Sequence, residues 1–525
     1  MTALDDAPPA PSLNQSTLRR YEAFLNNLSS VYCGYAIVFL VIACVVLPHF
    51  LIFSTDDLAV AIQPRPLHTL AITQAANGRY AFWAILRLLD LAGVGYGAFL
   101  GLSAAFFIAA ILFLIGETFA LAGITWVVAR LFGALIYITY CFNMDIYQFK
   151  TAYLSYALSF GLLGLAVRVG RSSLAALPRI TIATVCLIGS IGAYQTSLQF
   201  LVMMLGVWAL ALLTRDPPDR SGRGAWVLIP ALALAMVGYG LCNILLKRAG
   251  IDGFDAYPSR PQGAVFIVTN LLPYFSAILD IFNPLSRVFA PLTNPVIGLV
   301  QVALLAVSAW LMSCAARSFM QRLLIWGIFA GCILCAPNPA NLMMALFWPS
   351  ARSMTGIAIF YAGLVALLIE RWPATGRPAG AGSAALVALV LSAVLLHGAN
   401  DAYLIGRRFF QQQVDFAQAE KIVADVANAL PEAETPLTAR IVIAWHSNLI
   451  YRDTPYDYGL SLFGAPWSAT ALLTFTSGGA VVGEAGSRSA CPATDRALFP
   501  TTTRLSDRVA LVCFPDRRVG PGIPD

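Results

Sequence analysis

The sequence predicts an all-α polytopic membrane protein, with about eleven transmembrane helices and a small α+β domain at its C-terminal end. Of its 525 residues, 58% are hydrophobic and only 11% are charged, whereas an ordinary soluble chain is roughly 25% charged. Apolar segments long enough to cross a bilayer recur along the first 400 residues. Because lipid offers the backbone no hydrogen-bond partner, such segments must be helices.

The chain divides into three predicted parts. Residues 1–30 are polar and Pro-rich, residues 31–400 hold the apolar segments, and residues 401–525 have the mixed composition of a small domain. Within that domain, "TARIVIAWHSN" is typical of a buried strand. The predicted spans fall at about 31–53, 91–115, 119–142, 151–167, 180–196, 197–214, 225–246, 294–315, 323–336, 354–370 and 383–399.

Basic residues predict the topology. Arg19 and Arg20 precede the first span, which is too long for a cleaved signal, so we expect the N-terminus to be cytoplasmic. An odd number of spans then places the C-terminal domain in the periplasm of a bacterial inner membrane. The net charge of +6 is modest and no basic patch for nucleic acid is present; the expected surrounding is a lipid bilayer.

Two long loops fall on the predicted outer side, at residues 54–90 and 247–293. The first contains "GRYAFWAILRLLD", an aromatic and basic stretch that favours a helix lying in the membrane interface. The second contains "AVFIVTNLLPYFSAILDIF". That stretch fits a re-entrant or interfacial segment, and it also fits a twelfth span.

Many familiar reaction chemistries are excluded. The sequence has no P-loop, no G-x-G-x-x-G, no G-x-S-x-G and no D-x-D motif. Its four histidines lack metal-ligand spacing. We therefore expect no required cofactor, while the use of a divalent cation stays open. Carboxylates, Arg, Lys and Tyr must carry the function.

The first candidate is the pair Asp56 and Asp57, directly after the first span. Two adjacent carboxylates cannot point the same way on a helix or strand, so one can face a site while the other orients it. Like-charge proximity can also raise one pKa, which suits a general base. The alternative is a solvated helix end or an N-cap.

The remaining candidates lie on the same predicted side. Positive charge there runs against the usual bias, and neutralising a phosphate is one reason for it; the predicted phosphate ligands are Arg79, Lys247, Arg248 and Arg352. The predicted substrate-binding residues are Asp145, Lys150, Tyr194, Gln195 and His446. The alternatives are snorkelling interface residues, a hairpin-turn cap and a solvated loop. Cys491 and Cys513, both in the polar C-terminal part, are expected to form a disulfide if that part is outside the cytoplasm.

Five short motifs occur in an order that resembles a known family. They are "STDDLAV", "NGRY", "GAYQTS", "ARSMTGIAIFYAGLVAL" and "LFGAPWSAT". Together they resemble the serotype-converting O-antigen glucosyltransferases, membrane enzymes of the GT-C type, across roughly residues 31–470.

This resemblance implies a GT-C-like fold and a transferase reaction. Such enzymes take a sugar, here a hexose and most simply glucose, from a polyprenyl-phosphate donor and add it to a surface polysaccharide or lipid-linked glycan in the periplasm. By this resemblance Asp57 or Asp56 would be the base of an inverting displacement. One departure leaves the phosphate ligand open, because the Arg that often follows the acidic pair is delayed to Arg65. The competing hypotheses are a lipid-linked glycan transporter or flippase and a structural partner of an envelope complex.

Overall fold

The computed structural model describes residues 30–214, 225–258, 262–286, 292–345, 347, 350–371, 381–442, 462–486, 491 and 500–514. The helices are α1 (Ser30–Val46), α2 (Thr55–Ala61), α3 (Pro66–Ala76), α4 (Tyr80–Leu91), α5 (Tyr96–Leu121), α6 (Val127–Thr139), α7 (Asn143–Tyr147), α8 (Tyr153–Gly170), α9 (Ala176–Ala193), α10 (Ser197–Thr214), α11 (Leu228–Arg248), α12 (Val265–Phe282), α13 (Pro295–Cys314), α14 (Phe319–Leu334), α15 (Gly356–Arg371), α16 (Ala381–Ala429) and α17 (Pro466–Thr476). Short 3₁₀ turns occupy Leu47–Leu51, Lys150–Ala152, Pro339–Met343, Ala351–Ser353 and Leu462–Gly464.

The helices confirm a polytopic membrane fold. In the part of the chain that the structure describes, 8 helices are long and apolar enough to cross a membrane, or 9 if α2 and the helix before it count as one span bent by 57°. Every predicted segment contains a helix, but three of these helices are short for a span: α6 has 13 residues, and α14 and α15 have 16 each. Of the eleven predicted spans, these three fail by length and the first passes only as part of the bent pair, while α12 adds one helix that was not among the eleven.

Helix α12 is long and apolar enough to count as a span. Three contacts show where it lies in the bundle. Before it starts, Gly263 donates a hydrogen bond to the carbonyl of Met343. At its middle, the Tyr274 hydroxyl donates to the carbonyl of Leu334, where α14 ends. After it ends, the chain packs against the first turn of α13.

These three contacts all lie at one end of the bundle. The start of α10 belongs to the same end, because Gln199 donates to the carbonyls of Cys335 and Ala336, just after α14. Helix α12 therefore runs across this end of the bundle, which favours the interfacial alternative over a twelfth span. Its outward face is an apolar stripe with residues three or four apart, each 46–81% exposed: Val265, Val268, Leu272, Phe275 and Leu279.

A small α+β unit follows the bundle. Its strands are β1 (Leu437–Val442), β2 (Val481–Ala485), β3 (Thr501–Arg504) and β4 (Val509–Cys513), in the sheet order β2-β1-β4-β3. Strand β1 is parallel to both neighbours, and β3 is antiparallel to β4. The first half of the predicted "TARIVIAWHSN" strand is thus present as β1, and its last residues, from 443 on, lie outside the described residues.

One continuous helix joins the bundle to this sheet. Helix α16 spans 49 residues, so the predicted boundary between residues 400 and 401 falls inside it. The core of the small unit contains residues from α16, α17 and the sheet, and also Leu58 from α2. Helix α2, which carries the paired aspartates, is therefore packed against the C-terminal unit.

Candidate functional site

A cavity of about 440 Å³ opens at the end of the bundle where α12 lies. Its lining comes from α2 and the turn after it, α3, the turn before α4, the segment after α7, the start of α8, the hairpin apex between α9 and α10, the turn before α15, and α17. The lining residues are Asp56, Ala59, Val60, Gln63, Thr69, Leu70, Thr73, Gln74, Arg79, Phe149, Thr151, Ala152, Tyr156, Tyr194, Arg352 and Trp467. The cavity thus draws on all five motifs that carry the family resemblance.

The two aspartates have different environments. Asp56 is exposed and lines the cavity. Asp57 is 2% exposed, and its Oδ2 accepts a hydrogen bond from the Ser54 backbone N–H at 3.0 Å. Its Oδ1 accepts from the Thr151 backbone N–H at 3.1 Å. Of the pair, Asp56 is the carboxylate that can meet a ligand.

Local sequence explains why the pair divides in this way. Ser54 is the N-cap of α2 and its hydroxyl accepts from the Asp57 N–H at 3.2 Å, which completes a capping box. A carboxylate at this position also lies favourably near the positive end of the helix. Asp57 thus occupies the third position of the helix as the carboxylate of the capping box, and Asp56 lines the cavity.

Arg79 approaches the cavity from the turn between α3 and α4. Its Nη1 donates to Gln74 Oε1 at 2.7 Å, and its guanidinium lies 4.6 Å from the ring centre of Tyr194. The Tyr194 ring packs edge-on against Tyr156, with centroids 4.6 Å apart. A guanidinium that is held over an aromatic face in a partly buried setting stays in place, and it can bind an anion there.

Arg352 reaches the cavity from the 3₁₀ turn before α15. Its guanidinium lies 4.3 Å from the ring centre of Phe149, and its backbone N–H donates to Asp145 Oδ2 at 2.9 Å. The other oxygen of Asp145 accepts from Gln148 Nε2 at 2.6 Å. Asp145 is completely buried and does not line the cavity, so it positions Arg352 and has no surface for the predicted substrate contact.

Two further predicted substrate residues support the walls of the cavity. Lys150 is 2% exposed, its Nζ donates to the Phe50 carbonyl at 3.2 Å, and it lies 4.4 Å from the ring centre of Phe53. Gln195 donates to the carbonyl of Asn77 at 2.8 Å, which ties the hairpin apex to the turn that carries Arg79. Neither side chain lines the cavity.

Lys247 and Arg248, predicted as phosphate ligands, lie at the exposed end of α11. The Lys247 ammonium donates to the carbonyl of Tyr257, and neither residue lines the cavity. The geometry gives them no part in this site. His446 lies outside the described residues.

Sequence reasoning did not single out several lining residues. Gln63 follows Asp56 by two helical turns, and Ala59 and Val60 lie between them, so helical spacing alone groups all four on one face. Trp467 stands inside the quoted motif "LFGAPWSAT" without having been assigned a role. Tyr156 carried no signal that could separate it from an ordinary buried aromatic residue.

Two other features bear on the chemistry. Cys491 and Cys513 form a disulfide, with Cα atoms 5.8 Å apart. Across the residues that the structure places, no group of three or more His, Cys, Asp and Glu side chains could hold a metal ion. Among the described residues, the charged groups that line the cavity are one carboxylate and two guanidinium groups.

Comparison with known proteins gives little further guidance. No family model matches the sequence, and no curated protein matches it. Among solved structures, the chain is similar to the archaeal oligosaccharyltransferase AglB from Archaeoglobus fulgidus in complex with an inhibitory peptide and a dolichol-phosphate, with a TM-score of 0.37 and 11% sequence identity. The similarity covers 88% of this chain and 65% of that one. The chain thus spans less than two thirds of the AglB structure, and a likeness at this level assigns neither activity nor ligand.

Proposed function

We propose that this protein is a membrane glycosyltransferase. It transfers a hexose, most simply glucose, from a polyprenyl-phosphate-sugar donor to a surface polysaccharide or a lipid-linked glycan. The site faces the periplasm of a bacterial inner membrane, with the N-terminus in the cytoplasm and the C-terminal domain on the periplasmic side. The observation that carries this proposal is the cavity in which Asp56, Arg79 and Arg352 meet at one end of a membrane bundle.

Each charged group fits one requirement of the reaction. Asp56 accepts the proton from the acceptor hydroxyl, and that oxygen then attacks the anomeric carbon from the face opposite the phosphate, which inverts its configuration. The bond between the anomeric carbon and the phosphate oxygen breaks, and the polyprenyl phosphate leaves as an anion. Arg79 and Arg352 stabilise the charge that develops on it.

The donor's chemistry also suits the lack of a D-x-D motif. A single phosphate carries less charge than a nucleotide diphosphate, so two guanidinium groups can balance it. The polyprenyl chain requires a site at the membrane surface, and this cavity opens at the same end of the bundle as α12, whose exposed face is apolar. We therefore propose that transfer proceeds without a required cofactor.

The test is transfer by purified protein in lipid nanodiscs. Radiolabelled polyprenyl-phosphate glucose is supplied with lipid-linked oligosaccharides as acceptors. Asp56→Asn should lower kcat by about 10²–10⁴-fold, the usual contribution of a general base. Transfer that continues at the wild-type rate in this variant would exclude Asp56 as the base.

The arginines have a control in Arg65, which lies in the same loop as Arg79. Arg79→Gln and Arg352→Gln should each raise the donor KM by about tenfold or more, which corresponds to a lost charge-assisted hydrogen bond. Arg65→Gln should leave the donor KM unchanged, because Arg65 is 63% exposed, pairs with Asp90 and does not line the cavity. No transfer with any donor, together with donor movement across liposomes, would favour a transporter instead.

A further inference from the structure

Trp467 is a large aromatic side chain presented to the cavity by the C-terminal unit. It is 49% exposed and lines the cavity together with Asp56. The residues that follow it on α17 are mostly buried, including Ser468 and Ala469. The indole therefore projects from a helix whose other side is packed into the core.

The position of Trp467 relative to Asp56 is fixed by the packing of two helices. Helix α17 lies against α2, and Leu58 of α2 shares a core with Leu472 of α17. The segment before α2 adds a ring contact, because Phe53 and Phe475 have centroids 6.0 Å apart. The indole and the carboxylate are thus carried by one packed unit.

The cationic groups are carried by other elements. Arg79 stands beside the hairpin apex, and Arg352 stands on the turn before α15; both line the cavity together with Tyr156. Asp56 lies on α2, Gln63 lies two residues after α2 ends, and Trp467 lies on α17. The lining therefore divides into a cationic part and a part that combines a carboxylate, an amide and an indole.

The second part has the chemistry that binds a sugar ring. The C–H groups of a pyranose form an apolar face that packs on an indole, while its hydroxyls need a carboxylate and amide groups as partners. We propose that Trp467, Gln63 and Asp56 form the acceptor subsite and that the acceptor presents a pyranose ring, not a peptide or a simple lipid alcohol. This inference rests on the proposed function, which names a glycan as acceptor but no residues that bind it.

An exposed Trp at a membrane surface can also serve as an interfacial anchor, and the kinetic test separates the two roles. Trp467→Ala should raise the acceptor KM by about tenfold, equivalent to 1.4 kcal/mol, and leave the donor KM unchanged. Trp467→Tyr should retain most of the acceptor affinity, because it keeps an aromatic face. The matched control is Trp310→Ala, since Trp310 is 60% exposed and does not line the cavity.

Equal kinetic effects of Trp467→Ala and Trp310→Ala would identify an anchor and overturn the proposal. An unchanged acceptor KM in Trp467→Ala, with transfer intact, would overturn it while leaving the proposed function in place. Absence of transfer in the wild type would instead count against the proposed function.

A binding measurement tests the subsite without any transfer. The probes are maltotriose, cellotriose, mannotriose and lactose, added to the full-length protein in nanodiscs and followed by saturation-transfer NMR. At least one should bind the wild type and Trp310→Ala, and bind Trp467→Ala about tenfold more weakly. Binding of none of the four to the wild type, or equal binding to all variants, would overturn the proposal.

Discussion

Asp56 and Asp57 are neighbours in the chain, yet substitutions at the two positions should affect different properties of the protein. Asp57 is buried and accepts hydrogen bonds from the backbone N–H groups of Ser54 and Thr151. Asp56 is exposed and lines the cavity. Replacing Asp57 should therefore reduce stability, and replacing Asp56 should reduce transfer.

The expected magnitudes follow from the hydrogen bonds. Asp57→Ala leaves two buried N–H donors without an acceptor, and each such donor costs about 1–3 kcal/mol, so the loss should be about 2–6 kcal/mol. Asp57→Asn keeps one oxygen acceptor and should lose about half as much. Asp56→Asn changes an exposed side chain and should shift the free energy of unfolding by less than about 0.5 kcal/mol.

Two assays on the same preparations separate these effects. Thermal unfolding in detergent, followed by tryptophan fluorescence, should rank the variants as wild type and Asp56→Asn together, then Asp57→Asn, then Asp57→Ala. Transfer assayed well below the unfolding temperature should be lost in Asp56→Asn and partly retained in Asp57→Asn. A stable, inactive Asp57→Asn beside an active Asp56→Asn would reverse the two assignments.

Three more substitutions test how the site is supported. Gly192→Ala should cost about 1–3 kcal/mol and raise the donor KM, because an added Cβ would overlap the Tyr80 ring and push α4 away from the hairpin apex; unchanged unfolding and kinetics would contradict this packing. Asp145→Asn weakens the acceptor for the Arg352 backbone N–H and should raise the donor KM more than the acceptor KM; equal changes in both constants would show a general loss of folding. Cys491→Ser opens a disulfide that spans 22 residues and should cost about 3 kcal/mol, measured as faster proteolysis of the sheet; reductant should speed cleavage of the wild type and leave the variant unaffected.

Much of the site could be predicted from which side of the membrane each segment reaches. Asp56, Arg79, Tyr194 and Arg352 were all placed on the predicted outer side, and the structure brings these four to one cavity. Sidedness follows from hydrophobic segments and loop charges, which are local signals. It does not reveal which of the grouped side chains points inward.

The remaining features depend on contacts between distant parts of the chain. Asp145 and Lys150 were expected in the cavity, and burial in the turns around α7 keeps both out of it. The second hydrogen bond to the Asp57 carboxylate comes from the backbone N–H of Thr151, 94 residues away. The contribution of Trp467 depends on α17 packing against α2, which no local pattern in either segment predicts. The parallel pairing of β1 is likewise non-local.

The packing of α17 on α2 also sets the order in which the site can be completed. Helix α2 leaves the ribosome early, whereas the residues that cover Leu58, such as Leu472 and Leu473, are synthesised about 400 residues later. Until then α2 has an uncovered apolar face, and Asp56 lacks the wall that Trp467 supplies. A nascent chain, or one truncated before α17, therefore lacks part of the cavity wall.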